Sequence, residues 1–85
     1  MTVFVYKLNP SMNIILNLIW KNGLISQKEI IVKSGLAPRT VKYSLKKLKE
    51  LGYISEIRLL SKDLRYKFYK ISSELVSKYT KIDFI

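Results

Sequence analysis

The stretch that most constrains this chain runs from Ala37 to Gly52, APRTVKYSLKKLKELG, because its pattern predicts one helix with an apolar side and a basic side. At roughly 100° per residue, the core-facing positions fall within about a third of the circumference. These positions are Val41, Ser44, Leu45, Leu48 and Leu51. Pro38 suits the first helical position, and Gly52 is the residue type expected just past the end. The pattern therefore predicts a helix over residues 38–51.

The other side of this helix carries five Lys or Arg residues and one acid, Glu50. A basic face opposite an apolar stripe is often only a solvated surface. Solvated faces usually mix the two signs, however, and this one does not. The whole chain has a net charge of +10, and residues 38–70 hold ten basic residues against three acids. Such an excess favours a polyanion as partner, with nucleic acid as the first candidate.

Composition narrows the class of protein. With 85 residues and 48% apolar content, residues 1–85 are expected to form one small domain. The chain has no Cys and no His, so it lacks the usual zinc ligands, thiol nucleophiles and imidazole bases. We therefore expect no enzyme activity, no metal and no cofactor. No apolar run reaches a membrane span of about 18–20 residues, and MTVFVYKL is a poor signal peptide, so a cytoplasmic location is expected.

The N-terminal third predicts an arm followed by a helix. Residues 2–8 are β-prone and leave three alternatives open, namely an edge strand, an extended arm or a lead into the first helix. Asn9, Pro10 and Ser11 indicate a helix that begins near residue 11 and closes at Asn22-Gly23. The predicted core face of that helix comprises Ile14, Ile15, Leu18 and Ile19, and Trp20 is interpreted as a packing or interface residue.

A short second helix is predicted by the pattern Ser26-Gln27-Lys28-Glu29, in which the Ser oxygen and the Glu side chain each satisfy an unpaired N–H at the helix start. Gly35 should end this helix after about two turns. The connection of about three residues that follows contains Gly and leads into the basic helix. Such a turn is used by helix-turn-helix motifs, although many other helix pairs share it.

After Gly52 the periodicity changes from helical to extended. The runs YISEIRLL and LRYKFYKI, separated by Ser61-Lys62-Asp63, predict a β-hairpin. A last helix over residues 73–83 would carry one apolar stripe, formed by Leu75, Tyr79 and Ile82. An exposed stripe of this kind favours a homodimer interface. The alternative is that the stripe covers the outer hairpin face around Tyr66 and Phe68.

This order of elements resembles the winged helix-turn-helix DNA-binding transcription regulators, in particular the small MarR- and ArsR-like members. The resemblance covers about residues 11–71 and is carried by these positions: Ser26, Glu29, Gly35, Thr40, Val41, Leu45, Leu48, Gly52 and Ile54. Ala37 departs from the pattern, because a Ser or Thr cap is usual there, so we expect a less tightly fixed helix start. The resemblance implies an α+β fold with a three-helix core, a two-stranded β-hairpin wing and an additional C-terminal helix.

The resemblance also implies a function, namely sequence-specific binding of double-stranded DNA in transcription regulation. Helix 38–51 would lie in the major groove, and the wing, residues 58–70, on the adjacent minor groove and backbone. Arg39 is the expected base reader. The other expected DNA contacts are Thr40, Lys42, Tyr43, Lys46, Lys47, Lys62, Arg65 and Lys67. A two-fold dimer would require a near-palindromic site. The alternatives are a winged-helix module for RNA, general nucleoid binding or protein contacts, and a membrane-surface role.

Overall fold

The structure, a computed structural model, describes residues 5–58 and 67–72. In chain order the elements are α1 (Pro10–Asn22), β1 (Ile25–Ser26), α2 (Gln27–Ser34), α3 (Pro38–Glu50), β2 (Ile54–Arg58) and β3 (Lys67–Ile71). The three strands form one antiparallel sheet in the order β1-β3-β2. The predicted α+β winged helix fold is thereby confirmed. The predicted C-terminal helix, the wing tip and the arm before residue 5 lie outside the described residues.

The sheet contains one strand more than the predicted hairpin. β2 and β3 pair as expected, with Glu56 opposite Tyr69 and Arg58 opposite Lys67. The sequence also predicts a very short extended piece at Leu24-Ile25, and in the structure β1 pairs there with the other edge of β3 and places Ile25 opposite Tyr69. The sheet thus joins the start of α2 to the strands of the wing.

Single residues fix both the start of α2 and the turn that joins it to α3. The Ser26 side chain caps α2 by accepting a hydrogen bond of 3.1 Å from the Glu29 backbone N–H. The Glu29 carboxylate lies 3.7 Å from the Lys33 amine. Gly35 ends α2 in the left-handed region, with φ at 70°, where a residue without Cβ avoids strain. The chain then turns steeply into α3.

α3 begins at Pro38 and ends at Glu50, close to the predicted bounds. Ala37 supplies no side-chain hydrogen bond to the helix start, as its residue type dictates. At the other end Gly52 has φ of 84°, and the Tyr53 backbone N–H donates to the Leu48 carbonyl at 3.0 Å. This closure directs the chain straight into β2 and fixes the wing beside α3.

The core lies between the three helices and one face of the sheet, but α1 is rotated from its predicted orientation. Ile14 was predicted in the core and is 44% exposed, whereas Leu16 is fully buried. The core face of α1 comprises Met12, Ile15, Leu16 and Ile19. Two apolar stripes satisfy the helical period on this segment, so the period alone does not choose between them. Trp20 and Leu18 are half-buried and pack against the edge of the core.

The segment before α1 is held by one buried amide. Val5 and Leu8 are buried in the core, and Asn13, 6% exposed, lies beneath the turn that joins them. The Asn13 side chain accepts a hydrogen bond from the Val5 N–H at 2.8 Å and donates to the Val5 and Leu8 carbonyls at 3.1 Å. Residues 5–9 therefore form a turn that packs on α1, and Asn9 caps the helix.

Candidate nucleic-acid interface

The exposed side of α3 is the centre of the candidate site. Val41, Ser44, Leu45 and Leu48 are buried as predicted, which fixes the rotation of the helix about its axis. Leu51, also predicted on the core face, is 58% exposed because it lies at the C-cap, past the end of the helix. Among the predicted DNA contacts on α3, Thr40 is half-buried and the rest are exposed, namely Arg39, Lys42, Tyr43, Lys46 and Lys47. These side chains therefore lie on the side of α3 that faces away from the core.

Tyr43 and Lys47 form a pair on this face. The Lys47 amine lies 5.9 Å from the centre of the Tyr43 ring, within the range of a cation–π interaction. The ring is 55% exposed. An exposed aromatic ring beside an ammonium group presents both a stacking surface and a positive charge to a ligand.

A groove separates one flank of α3 from the N-terminus of α2 and the strands β2 and β3. Its volume is about 620 Å³, and we call it the basic groove. Its basic residues are Lys28, Lys42, Lys46, Lys49 and Lys67. Ile31, Leu45 and Tyr69 line its apolar part. Five ammonium groups around one cleft focus positive potential there, as binding of a phosphodiester chain requires.

One carboxylate lies within this basic surface. Glu56 on β2 accepts a hydrogen bond of 2.9 Å from Arg58 Nε, lies 3.5 Å from Lys49 Nζ, and is 3.2 Å from the Tyr69 hydroxyl. Burial alone would raise the pKa of Glu56. The Arg58 hydrogen bond, the Lys49 charge and the Tyr69 hydroxyl outweigh burial and hold the pKa below its ordinary value of 4.5. Glu56 is therefore ionised at neutral pH.

Tyr69 extends this network to α2. Its hydroxyl lies 3.4 Å from the Gln27 side-chain oxygen in addition to its contact with Glu56. Burial, followed by the nearby Glu56 charge, raises the pKa of Tyr69 to about 12. The protonated hydroxyl is thus a stable hydrogen-bond donor to the carboxylate over the whole physiological range.

Several residues of this site were missed by the sequence analysis. Lys28, Lys49, Glu56 and Arg58 were counted as charges but were given no role. Strand alternation offered a signal, because residues 54, 56 and 58 of β2 share one face with their partners 71, 69 and 67 of β3. No pattern in the sequence indicated a role for Lys28, because this residue lies on α2 and reaches the groove only through the packing of α2 against α3. Of the predicted wing contacts, Lys67 lines the basic groove, while Lys62 and Arg65 lie outside the described residues.

A second, smaller groove of about 310 Å³ lies between α1 and α2 and is lined by Asn13, Ile14, Asn17, Leu18, Lys21 and Lys33. It holds only two of the basic residues and none from α3. Within residues 5–58 and 67–72, no group of three or more His, Cys, Asp or Glu side chains could hold a metal ion. None of the helices described in that part of the chain is long and apolar enough to cross a membrane.

Two short helices joined by a glycine turn, with a basic second helix beside a small antiparallel sheet, define a nucleic-acid-binding helix-turn-helix domain. A family model described as winged helix-turn-helix DNA-binding matches residues 9–55. The chain therefore belongs to the winged helix-turn-helix DNA-binding family, as its sequence pattern predicted. No curated protein matches the chain.

Solved structures share this fold. ZitR of Lactococcus lactis, a zinc-responsive MarR family member, is 20% identical and superposes with a TM-score of 0.73 over 87% of this chain and 50% of its own. A cysteine-to-serine mutant of ZitR is 23% identical, with a TM-score of 0.73 over 95% of this chain and 54% of its own. The reduced form of the transcriptional regulator YodB from B. subtilis is 14% identical, with a TM-score of 0.72 over 85% and 70%. This chain spans about half the length of ZitR, and at these identities the likeness shows the fold alone.

Proposed function

We propose that this protein is a transcription regulator that binds double-stranded DNA sequence-specifically, with α3 in the major groove. The observation that carries this proposal is the continuity of charge between two elements. Lys42, Lys46 and Lys49 of the basic side of α3 also line the basic groove, so cations flank the helix where a DNA backbone would pass. An α-helix fits the major groove, and the backbone beside that groove is a chain of phosphates.

The side chains of α3 divide by position into base and phosphate contacts. Arg39 lies in the first turn of α3 and points away from its core face, and recognition helices contact base edges with their N-terminal residues. A guanidinium group there donates two hydrogen bonds to guanine O6 and N7. Thr40 and Tyr43 flank it and contact a phosphate or a base. Lys46 lies two turns further along, beside the basic groove, and holds phosphate.

The wing is assigned to the neighbouring stretch of backbone. Lys67 at the start of β3 and Lys42 on α3 line the same groove from opposite sides. A phosphodiester chain between them would lie at the border of the major and minor grooves. Lys62 and Arg65, which precede β3 in the chain, then extend the contact into the minor groove, as the sequence pattern predicted.

The test compares Arg39→Ala with Lys46→Ala on a duplex selected from a random pool. Loss of a bidentate base contact costs roughly 1–3 kcal/mol and relaxes preference at one base pair, whereas loss of a phosphate contact weakens all duplexes alike. Competition by random duplex, RNA and anionic vesicles shows which polyanion is preferred. A pool that yields no preferred sequence, or RNA that competes better than duplex, would refute the proposal.

We further propose that the protein acts as a homodimer on a near-palindromic site, with the stripe Leu75, Tyr79 and Ile82 at the interface. The support is the sequence pattern, since these residues lie outside the described ones. A two-fold dimer would place its two copies of α3 about 34 Å apart, one turn of DNA. Analytical ultracentrifugation at micromolar concentration should give a dimer for the parent and a monomer for a Leu75→Glu, Ile82→Glu double variant. A parent that sediments as the 10.0 kDa monomer would contradict the proposal.

A further inference from the structure

Glu56 is the one acid among the described residues that line the basic groove. A carboxylate inside a phosphate-binding surface opposes ligand binding, because it repels phosphate and lowers the local positive potential. Its side chain is only 13% exposed and makes charged contacts rather than facing solvent. The groove thus contains a group whose direct electrostatic effect on DNA is unfavourable.

Glu56 lies on β2, and its contacts lead to the other elements that frame the groove. Lys49 belongs to α3, Arg58 belongs to the wing strand β2, and Tyr69 connects the carboxylate to Gln27 at the start of α2. No other described ion pair connects these elements, since the remaining one, Lys33 with Glu29, lies within α2. The Lys49–Glu56 pair is therefore the ion pair, among the described residues, that links α3 to the wing.

The geometry leaves the paired cations available to a ligand. Arg58 uses Nε for its 2.9 Å hydrogen bond to Glu56, and its side chain is 71% exposed. This hydrogen bond uses Nε and leaves the two terminal amino groups of the guanidinium, with four N–H donors, outside it. Lys49 is 45% exposed and has further ammonium hydrogens beyond the one nearest Glu56. Each cation thus contacts Glu56 with part of its charged group, and its remaining N–H donors are available to a ligand.

We propose that Glu56 is a positioning residue for DNA recognition, which holds Arg58 and Lys49 in the orientation that one DNA backbone strand requires. This inference rests on the proposed function of the groove. Ordering a long side chain on binding costs entropy, and a side chain that is ordered beforehand avoids that cost. The carboxylate therefore strengthens specific binding through its two partners, although its own charge opposes DNA.

Two effects of Glu56→Gln have opposite signs, which makes the proposal testable. The substitution preserves size and removes one negative charge, so electrostatics alone predicts tighter binding to every duplex. Loss of positioning predicts about tenfold weaker binding to the selected duplex and a similar loss on random duplex, because both partners are proposed to contact the DNA backbone. Glutamine remains an acceptor for Arg58, but the ion pair is lost because only the guanidinium is then charged. Glu56→Met, which removes the acceptor, should therefore reduce affinity for the selected duplex further than Glu56→Gln.

A double-mutant background separates positioning from a general structural role. In a Lys49→Ala, Arg58→Ala protein, Glu56→Gln should no longer weaken binding to the selected duplex, because the side chains through which it acts are gone. An equal loss in both backgrounds would overturn the proposal. Thermal unfolding of each variant verifies that it is folded. Tighter binding of Glu56→Gln to the selected duplex would likewise overturn the proposal.

A measurement on the free protein distinguishes failure of this inference from failure of the proposed function. The NMR order parameter of the Arg58 Nε–H bond should be high in the parent and should fall in Glu56→Gln. If Arg58 is equally mobile in both proteins, the positioning role is wrong whatever DNA is bound. If no duplex is preferred in the selection, the proposed sequence specificity is wrong, and the positioning role is decided by this order parameter alone.

Discussion

The salt dependence of DNA binding follows directly from the number of cations on α3 and in the basic groove. Each phosphate that the protein neutralises releases condensed counterions, which contributes about −0.9 to the slope of log affinity against log salt. Six such contacts, drawn from α3, Lys28 and Lys67, give a slope of about −5. Affinity should then fall by about three orders of magnitude between roughly 50 and 200 mM salt. Fluorescence anisotropy of a labelled duplex measures this slope.

A matched pair of variants shows whether the slope comes from contacts or from net charge. Lys46→Ala and Lys21→Ala each remove one positive charge, but Lys46 lines the basic groove and Lys21 lines the smaller groove between α1 and α2. We expect Lys46→Ala to reduce the magnitude of the slope by about 0.9 and Lys21→Ala to leave it nearly unchanged. Equal changes in both variants, or a nearly flat dependence in the parent, would refute contact by the basic groove.

Two further predictions concern the stability of the domain. Asn13→Ala leaves the buried Val5 N–H and the carbonyl partners of the amide unsatisfied, and it should lower the free energy of unfolding in urea by about 2–4 kcal/mol. The control Asn22→Ala, at an exposed position of the same helix, should lower that free energy by less than about 1 kcal/mol. Similar losses in the two variants would contradict the role of Asn13. Because folding raises the pKa of Tyr69 from 10.0 to about 12, the neutral hydroxyl contributes stability that is complete below pH 10 and is lost as pH rises to 12. The melting temperature of Tyr69→Phe should therefore fall less than that of the parent across this interval, and parallel curves would show that Tyr69 titrates normally.

The helix-turn-helix could be predicted from the sequence because each of its local signals agrees with the others. Ser26, Gly35, Pro38 and Gly52 each mark a boundary through the chemistry of a single residue, and α3 has one apolar stripe that admits one orientation. The exposure of Arg39 and its neighbours follows from that stripe. Where one pattern fits one arrangement, sequence reasoning reaches the level of individual side chains.

Predictions failed where a pattern allowed two arrangements or where a contact is distant in the chain. On α1 the stripe containing Ile14 and the stripe containing Leu16 both repeat with the helical period, and packing against α3 and the sheet decides between them. A short extended piece was predicted at Leu24-Ile25, but two residues carry no periodic signal that identifies a partner strand, so the pairing of β1 with β3 was missed. The contact of Glu56 with Lys49 joins a strand to a helix, so no local pattern could reveal it, whereas its contact with Tyr69 follows from the register of the hairpin.

The charges of α3 argue against the interpretation that its basic side is merely solvated. Arg39 and Lys42 are three residues apart, and Lys42 and Lys46 are four apart, so like charges meet along one face and destabilise the helix by about 0.2–0.5 kcal/mol per pair. The first turn of α3 has no acid and contains Arg39, which opposes the helix dipole and costs about 0.3–1 kcal/mol. On a face that served only solubility, acids would lie between these bases and would remove both the like-charge repulsion and the unfavourable interaction with the helix dipole. In the proposed complex, DNA phosphates would supply the missing negative charge, and the repulsion within the free helix would become attraction to the ligand.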